Sequence, residues 1–163
     1  MRVEFVNPFI LAAREVLESE LGGEAERGNI SLQKSAYTTD EVTAVVGVAG
    51  RVAGLVLYSM SQATALSIVS RLLGQDFPVF DALAQSGIGE LGNVITGRAG
   101  VLLAEAGYPS NITPPALVIG RGTMITTLDL NRLVFPLETP AGRLDVQVVL
   151  KESAGGVQAA LAA

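Results

Sequence analysis

The sequence predicts an α+β domain, a mostly antiparallel β-sheet covered by helices. Three observations carry this expectation. Two runs rich in β-branched residues, 42–49 and 52–60, meet at Gly50-Arg51. Leu144, Val146, Val148 and Leu150 alternate with Asp145 and Gln147, and residues 80–107 read as one long helix. Runs of strands interrupted by paired helices, with hairpin connections, belong to that architecture.

Taken in order, the first helix is expected to open at Asn7, whose side chain can cap, with Pro8 in the first helical position. It carries Ile10, Ala13, Leu17 and Leu21 on one stripe and stops at Gly22-Gly23. Residues 30–37 read as a strand followed by a polar turn. Gly50-Arg51 suits a type II′ hairpin with glycine in the first central position. Gly47 and Gly54 fall near one another across that pair, which predicts a bend or a closely packed helix. Ser61 caps a second helix that turns Ala65, Leu66, Val69, Leu72 and Leu73 inward and ends at Gly74. Beyond the long helix, Pro109, Pro114 and Pro115 force extended chain before residues 116–120. The turn at residues 139–142 precedes the last strand, whose Asp145 and Gln147 mark its wetter face. Residues 1–151 form the expected single domain, and 152–163 an Ala/Gly-rich tail.

Composition narrows the chemistry. The 163 residues are one domain's worth, 49% of them hydrophobic. No apolar run reaches the roughly 18 residues of a membrane span and residues 1–4 lack a signal-peptide layout, so a cytoplasmic protein is expected. Without cysteine or histidine, any chemistry must use carboxylates, amides, hydroxyls or groups lent by a partner. A net charge of −5 and no basic cluster argue against nucleic acid.

The long helix is the unusual element. At about 100° per residue, Ser86, Glu90, Asn93, Gly97 and Ala104 fall within an arc of roughly 60°. Ile88, Leu91, Ile95, Ala99 and Leu102 cluster on the side opposed to Asn93. Gly87, Gly89, Gly92, Gly97 and Gly100 lie inside the helix, and each costs about 0.8–1 kcal/mol against alanine at an exposed interior position. Small residues let another backbone approach two projecting polar side chains. They equally let two helices of one fold touch, with Glu90 and Asn93 as ordinary solvated positions.

The segment from Ser86 through Glu90 and Asn93, with Ala99, Glu105, Gly107-Tyr108 and a proline about twenty residues beyond Asn93, resembles the signature helix of the CheC/CheX/FliY family of chemotaxis phosphatases. Asn7-Pro8-Phe9, the hairpin around Gly50 and residues 115–120 extend the resemblance along nearly the whole chain. The full signature, with Ser86 four residues before Glu90, occurs once, as in the single-motif CheX branch, and either Pro114 or Pro115 can stand for the motif proline.

The resemblance implies a CheC-like fold and hydrolysis of the aspartyl phosphate of a phosphorylated CheY-like response regulator. It implies catalytic roles for Glu90 and Asn93, and a homodimer by analogy with CheX proteins. The chain needs no cofactor of its own; Mg²⁺ is expected on the phosphorylated partner, which also supplies a lysine. Asn93 would orient the attacking water and Glu90 would meet that lysine. Ser86, Gly89 and Gly97 are the expected partner-binding positions, Ser86 in a positioning role. The alternative is a non-catalytic regulator-binding or flagellar-switch module with the same fold. Arg98 falls toward the apolar side and reads as a snorkelling side chain. Gly120-Arg121-Gly122 reads as a turn, and Asp76, Asp81 and Asp129 lack metal-binding spacing.

Overall fold

The computed structural model describes residues 2–34, 36–128 and 130–153. The expected tail, from residue 154 onward, and Asp129 lie outside the described residues.

Helix α1 (Val3–Leu21) begins a full turn earlier than Asn7-Pro8 predicts, and Pro8 lies inside it. A proline in a helix interior costs about 3 kcal/mol or more. Burial of Phe5 and Val6 in that first stretch offsets this at about 1.5–3 kcal/mol each. Phe5 also meets Tyr108 edge-on, ring centroids 5.0 Å apart, with the Arg2 guanidinium 5.2 Å above the Phe5 ring. Tertiary contacts therefore extend the helix past its local start signal. Its end follows the local rule: Gly22 is left-handed at φ 73° and donates its N–H to Glu18 O.

The expected strand over 30–37 is divided. β1 (Glu26–Arg27) and β2 (Ser31–Gln33) pair with β9 (Arg132–Thr139), whereas β3 (Ala36–Thr38) pairs with β8 (Met124–Thr126) in a separate two-stranded ribbon. Arg132 sits at the junction and donates to Lys34 O and Ala36 O, so those carbonyls are satisfied without a neighbouring strand.

β4 (Val42–Gly50) and β5 (Val52–Met60) are antiparallel, with Val48 opposite Gly54. This register centres the connection on Arg51 and removes the expected type II′ turn. Gly50, at φ 147°, pairs instead with Ser110, and Arg51 donates to Pro109 O. α2 (Gln62–Leu73) is capped by Ser61, whose hydroxyl accepts the Thr64 N–H at 3.1 Å, and closes at left-handed Gly74. It buries Ala65, Ile68 and Val69, while Leu73, expected inward, is 46% exposed.

α3 (Ala82–Glu105) follows, then β6 (Ser110–Ile112), β7 (Ala116–Ile119), β8 (Met124–Thr126), β9 (Arg132–Thr139) and β10 (Gly142–Glu152). The main sheet runs β1-β9-β10-β5-β4-β6, with β2 also on β9 and β7 also on β4, every pair antiparallel. The last strand continues through Glu152, opposite Val52. All three helices contribute to the core on one face of this sheet, α3 packing on β4 and β6 and against both α1 and α2. Among the described residues no helix is long and apolar enough to cross a membrane.

The other sheet face is not the wet one that Gln147 suggests. Gln147 is only 2% exposed: its amide donates to Ser59 Oγ, its carbonyl oxygen accepts from Arg132, and Ser59 accepts from the Tyr37 hydroxyl at 2.7 Å. The β3–β8 ribbon thus covers this face through a connected polar cluster, with Arg132 stacked 5.0 Å over the Tyr37 ring. Gly47 and Gly54 answer to other neighbours than a helix. A Cβ on Gly47 would fall 2.9 Å from Thr113, and one on Gly54 1.8 Å from the carbonyl oxygen of Val149.

Gly54 also sits at φ 152°, a conformation side chains avoid. Gly54→Ala should therefore push β5 off β10 and destabilise the protein by about 3 kcal/mol or more, read as a lowered urea midpoint. A midpoint within error of wild type would contradict the packing of these strands.

Candidate functional site

α3 starts cleanly because the Asp81 carboxylate accepts the Ala84 N–H at 2.9 Å. Ile88, Leu91, Ile95, Ala99 and Leu103 are buried, and Leu102 packs half-buried at the core edge. On the opposite side Ser86 and Glu90 are exposed and Asn93 is half-exposed. Among the described residues no hydrogen bond or ion pair engages any of these three side chains. A carboxylate and a carboxamide thus stand one turn apart on the outer surface with their polar atoms uncommitted.

The sequence-predicted small-residue flank is only partly open. Gly100 has nothing within 4 Å of where a Cβ would stand, and at Gly97 the nearest atom is Ile112 Cδ1 at 3.9 Å. Gly89 is instead buried, with Pro115 Cγ 3.6 Å from the Cβ position, so it offers no surface to a partner. Pro115 rather than exposed Pro114 is the proline that packs on α3. On the other side of Glu90 lie α1 and α2, where Arg98 Nε donates to Glu15 Oε2 at 3.0 Å; Arg98 ties α3 to α1 and takes no part in the polar pair. Arg121 reaches Asp40 and Glu41 from its turn. Among the described residues no three carboxylates gather as a metal site.

Behind the polar pair is a device the sequence reading did not find. Gly92 carries no side chain because Tyr58 of β5 and Ala44 of β4 lie there, 3.3 and 3.4 Å from the Cβ position. Thr96, fully buried, donates to Gly92 O at 2.7 Å, which leaves its oxygen to accept from the Tyr58 hydroxyl, also at 2.7 Å. This pins to the sheet the helical turn that bears Asn93. The available signal was a hydroxyl one turn after a glycine, on the flank of α3 between Asn93 and the apolar cluster. Burial raises the Tyr58 phenol pKa far above its ordinary value, and the Thr96 bond opposes this only in part.

Residues 42–138, which include the whole of α3, match the family described as chemotaxis phosphatase CheX. The chain is 35% identical over 126 residues to the CheY-P phosphatase CheX of Thermotoga maritima, covering 77% of this chain and 81% of that protein. This chain belongs to the CheX family. Its fold agrees with that assignment. A CheC-like superfamily protein from Shewanella sp. PV-4 superposes with a TM-score of 0.82 at 25% identity, covering 93% of this chain and 99% of that one. A chain of the CheX-CheY-BeF3-Mg²⁺ complex from Borrelia burgdorferi gives 0.78 at 29% identity, covering 93% and 100%. The CheX match therefore spans the polar pair, the glycines around it and Tyr58 behind it.

The Tyr58–Thr96 contact is testable through pH. With the folded pKa raised, the unfolded chain loses this proton first, so stability falls as pH rises past about 10, by up to about 1.4 kcal/mol per pH unit. Denaturation of wild type and Tyr58→Phe across that range should show the smaller slope in the variant; equal slopes would place the phenol in water. Thr96→Val, which strands the buried hydroxyl, should cost about 1–3 kcal/mol, and Thr96→Ser should recover most of it.

Proposed function

We propose that this chain hydrolyses the aspartyl phosphate of a phosphorylated CheY-like response regulator, with Asn93 orienting the attacking water and Glu90 docking on the regulator's lysine. The observation that carries this reading is the pairing of an uncommitted Glu90 and Asn93 on the outer face of α3. Support comes from the relative named CheY-P phosphatase CheX and from the neighbour solved with CheY, BeF3 and Mg²⁺.

The chemistry suits this residue set. Phosphoryl transfer depends mainly on positioning and electrostatic stabilisation. Water attacks phosphorus in line and the bond to the aspartate oxygen breaks, giving inorganic phosphate and a free carboxylate. The Asn93 carboxamide can accept a hydrogen bond from that water and donate one to a phosphoryl oxygen, without the repulsion a carboxylate would bring. In this reading Mg²⁺ is held by the regulator's own carboxylates. Ser86, a turn before Glu90, helps position the docked partner, and Gly97 and Gly100 leave room for it.

Phosphate release from the phosphorylated regulator is the deciding assay. Asn93→Ala should lower it about 100-fold or more, on the order of 3 kcal/mol, while binding persists; full turnover in this variant would remove Asn93 from the mechanism. For Glu90→Lys both affinity and rate should fall, because like charges would then face each other. Wild-type dependence of rate on regulator concentration would exclude Glu90 from the interface. A wild-type chain that binds the phosphorylated regulator without accelerating phosphate loss would be a binding module of a switch or scaffold.

A further inference from the structure

On the side of Glu90 away from Asn93, α1, α2 and α3 enclose an apolar cleft of about 210 Å³. Val16, Leu72, Leu73, Leu91 and Val94 line it together with Glu20 and Glu90. Leu73 and Val94 remain 46% and 42% exposed, although the first belongs by its spacing to the inward side of α2. Along α3, exposed Leu83, Val94 and Val101 fall within roughly 40° of one another and of Glu90. The polar pair is thus set in an apolar surround, the arrangement of an interface that excludes water around a few charged contacts.

We propose that this cleft is a second anchor point for the response regulator. It takes an apolar side chain of the regulator that is flanked by a lysine or arginine, and the basic group meets Glu20. The inference rests on the phosphatase reading and extends it. Continuity and charge select this occupant. Glu90 is common to the cleft and to the polar pair, so a regulator docked at Glu90 already covers the cleft mouth. Among the described residues neither Glu20 nor Glu90 has an ion-pair partner, so the cleft offers acid beside grease with no cation of its own. A second copy of this chain, with 16 acidic against 11 basic residues, fits such a rim poorly. The anchor would act equally on the ground state and the transition state, strengthening association without touching the reacting atoms.

The test is steady-state phosphate release from the phosphorylated regulator, with KM and kcat measured separately for the full chain. The double variant Leu73→Ala, Val94→Ala should raise KM about tenfold with kcat within about twofold, as loss of uniform binding requires. Glu20→Lys, an exposed change that does not disturb packing, should raise KM at low ionic strength, with the gap closing as salt is added. Leu32→Ala, an exposed apolar position on the distant β2 edge, should leave both constants unchanged. Unchanged KM in the double variant and in Glu20→Lys, with wild type turning over, would overturn the cleft while leaving the phosphatase reading intact. Absence of turnover in wild type itself would overturn both. Sedimentation showing that the double variant turns a wild-type dimer into monomers at unchanged KM would reassign the cleft to self-association and overturn the proposal.

Discussion

The closeness of α3 to the sheet at Gly92 is the constraint on which the rest of the structure depends. With no side chain at that position, the Tyr58 ring and Ala44 come against the helix backbone, and Thr96 joins the Tyr58 hydroxyl to the Gly92 carbonyl. Each group in this chain of bonds is buried and satisfied, so rotating or lifting the helix would strand at least one of them, at the cost of an unmet buried hydrogen bond. The next residue is Asn93. Its position in space is therefore set from behind, by a contact that needs no help from the solvent side.

Such anchoring explains how one helix can carry so many glycines. Gly87 lets α2 approach, a Cβ there falling 3.0 Å from Val69, and Gly89 admits Pro115. Gly92 serves the sheet, while Gly97 and Gly100 face outward with little or nothing near them. Three of the five are thus answered by the chain's own packing, and the openness around Asn93 rests mainly on the remaining two. Helix packing and an accessible outer surface, which begin as competing accounts of these residues, divide the same helix between them by face.

The outer surface of α3 is asymmetric about Glu90. Toward Asn93 it is bordered by Ile112 and Pro115, which reach Gly97 and Gly89; toward α1 and α2 it is bordered by an apolar cleft. That asymmetry was not legible in the sequence. Leu72 and Leu73 follow the apolar rhythm of α2, yet that helix ends as the groove opens, leaving Leu73 without a neighbour to cover it. Periodicity reports which residues share a side of a helix and is silent on whether another element lies against that side.

The sequence by itself determined the helix ends marked by Ser61, Gly22 and Gly74, the identity of the long helix, its buried and outer faces, and the spacing of Glu90 and Asn93. Each of these follows from backbone geometry within a few residues, where local chemistry has no distant competitor. Tertiary structure alone decided that α1 runs through Pro8, that β4 and β5 pair about Arg51, that Gln147 is buried beneath a ribbon, and that Gly89 lies under Pro115. In every one of those cases a partner remote in the chain supplied burial or a hydrogen bond that outweighed the local preference, and no local pattern encodes where such a partner will stand.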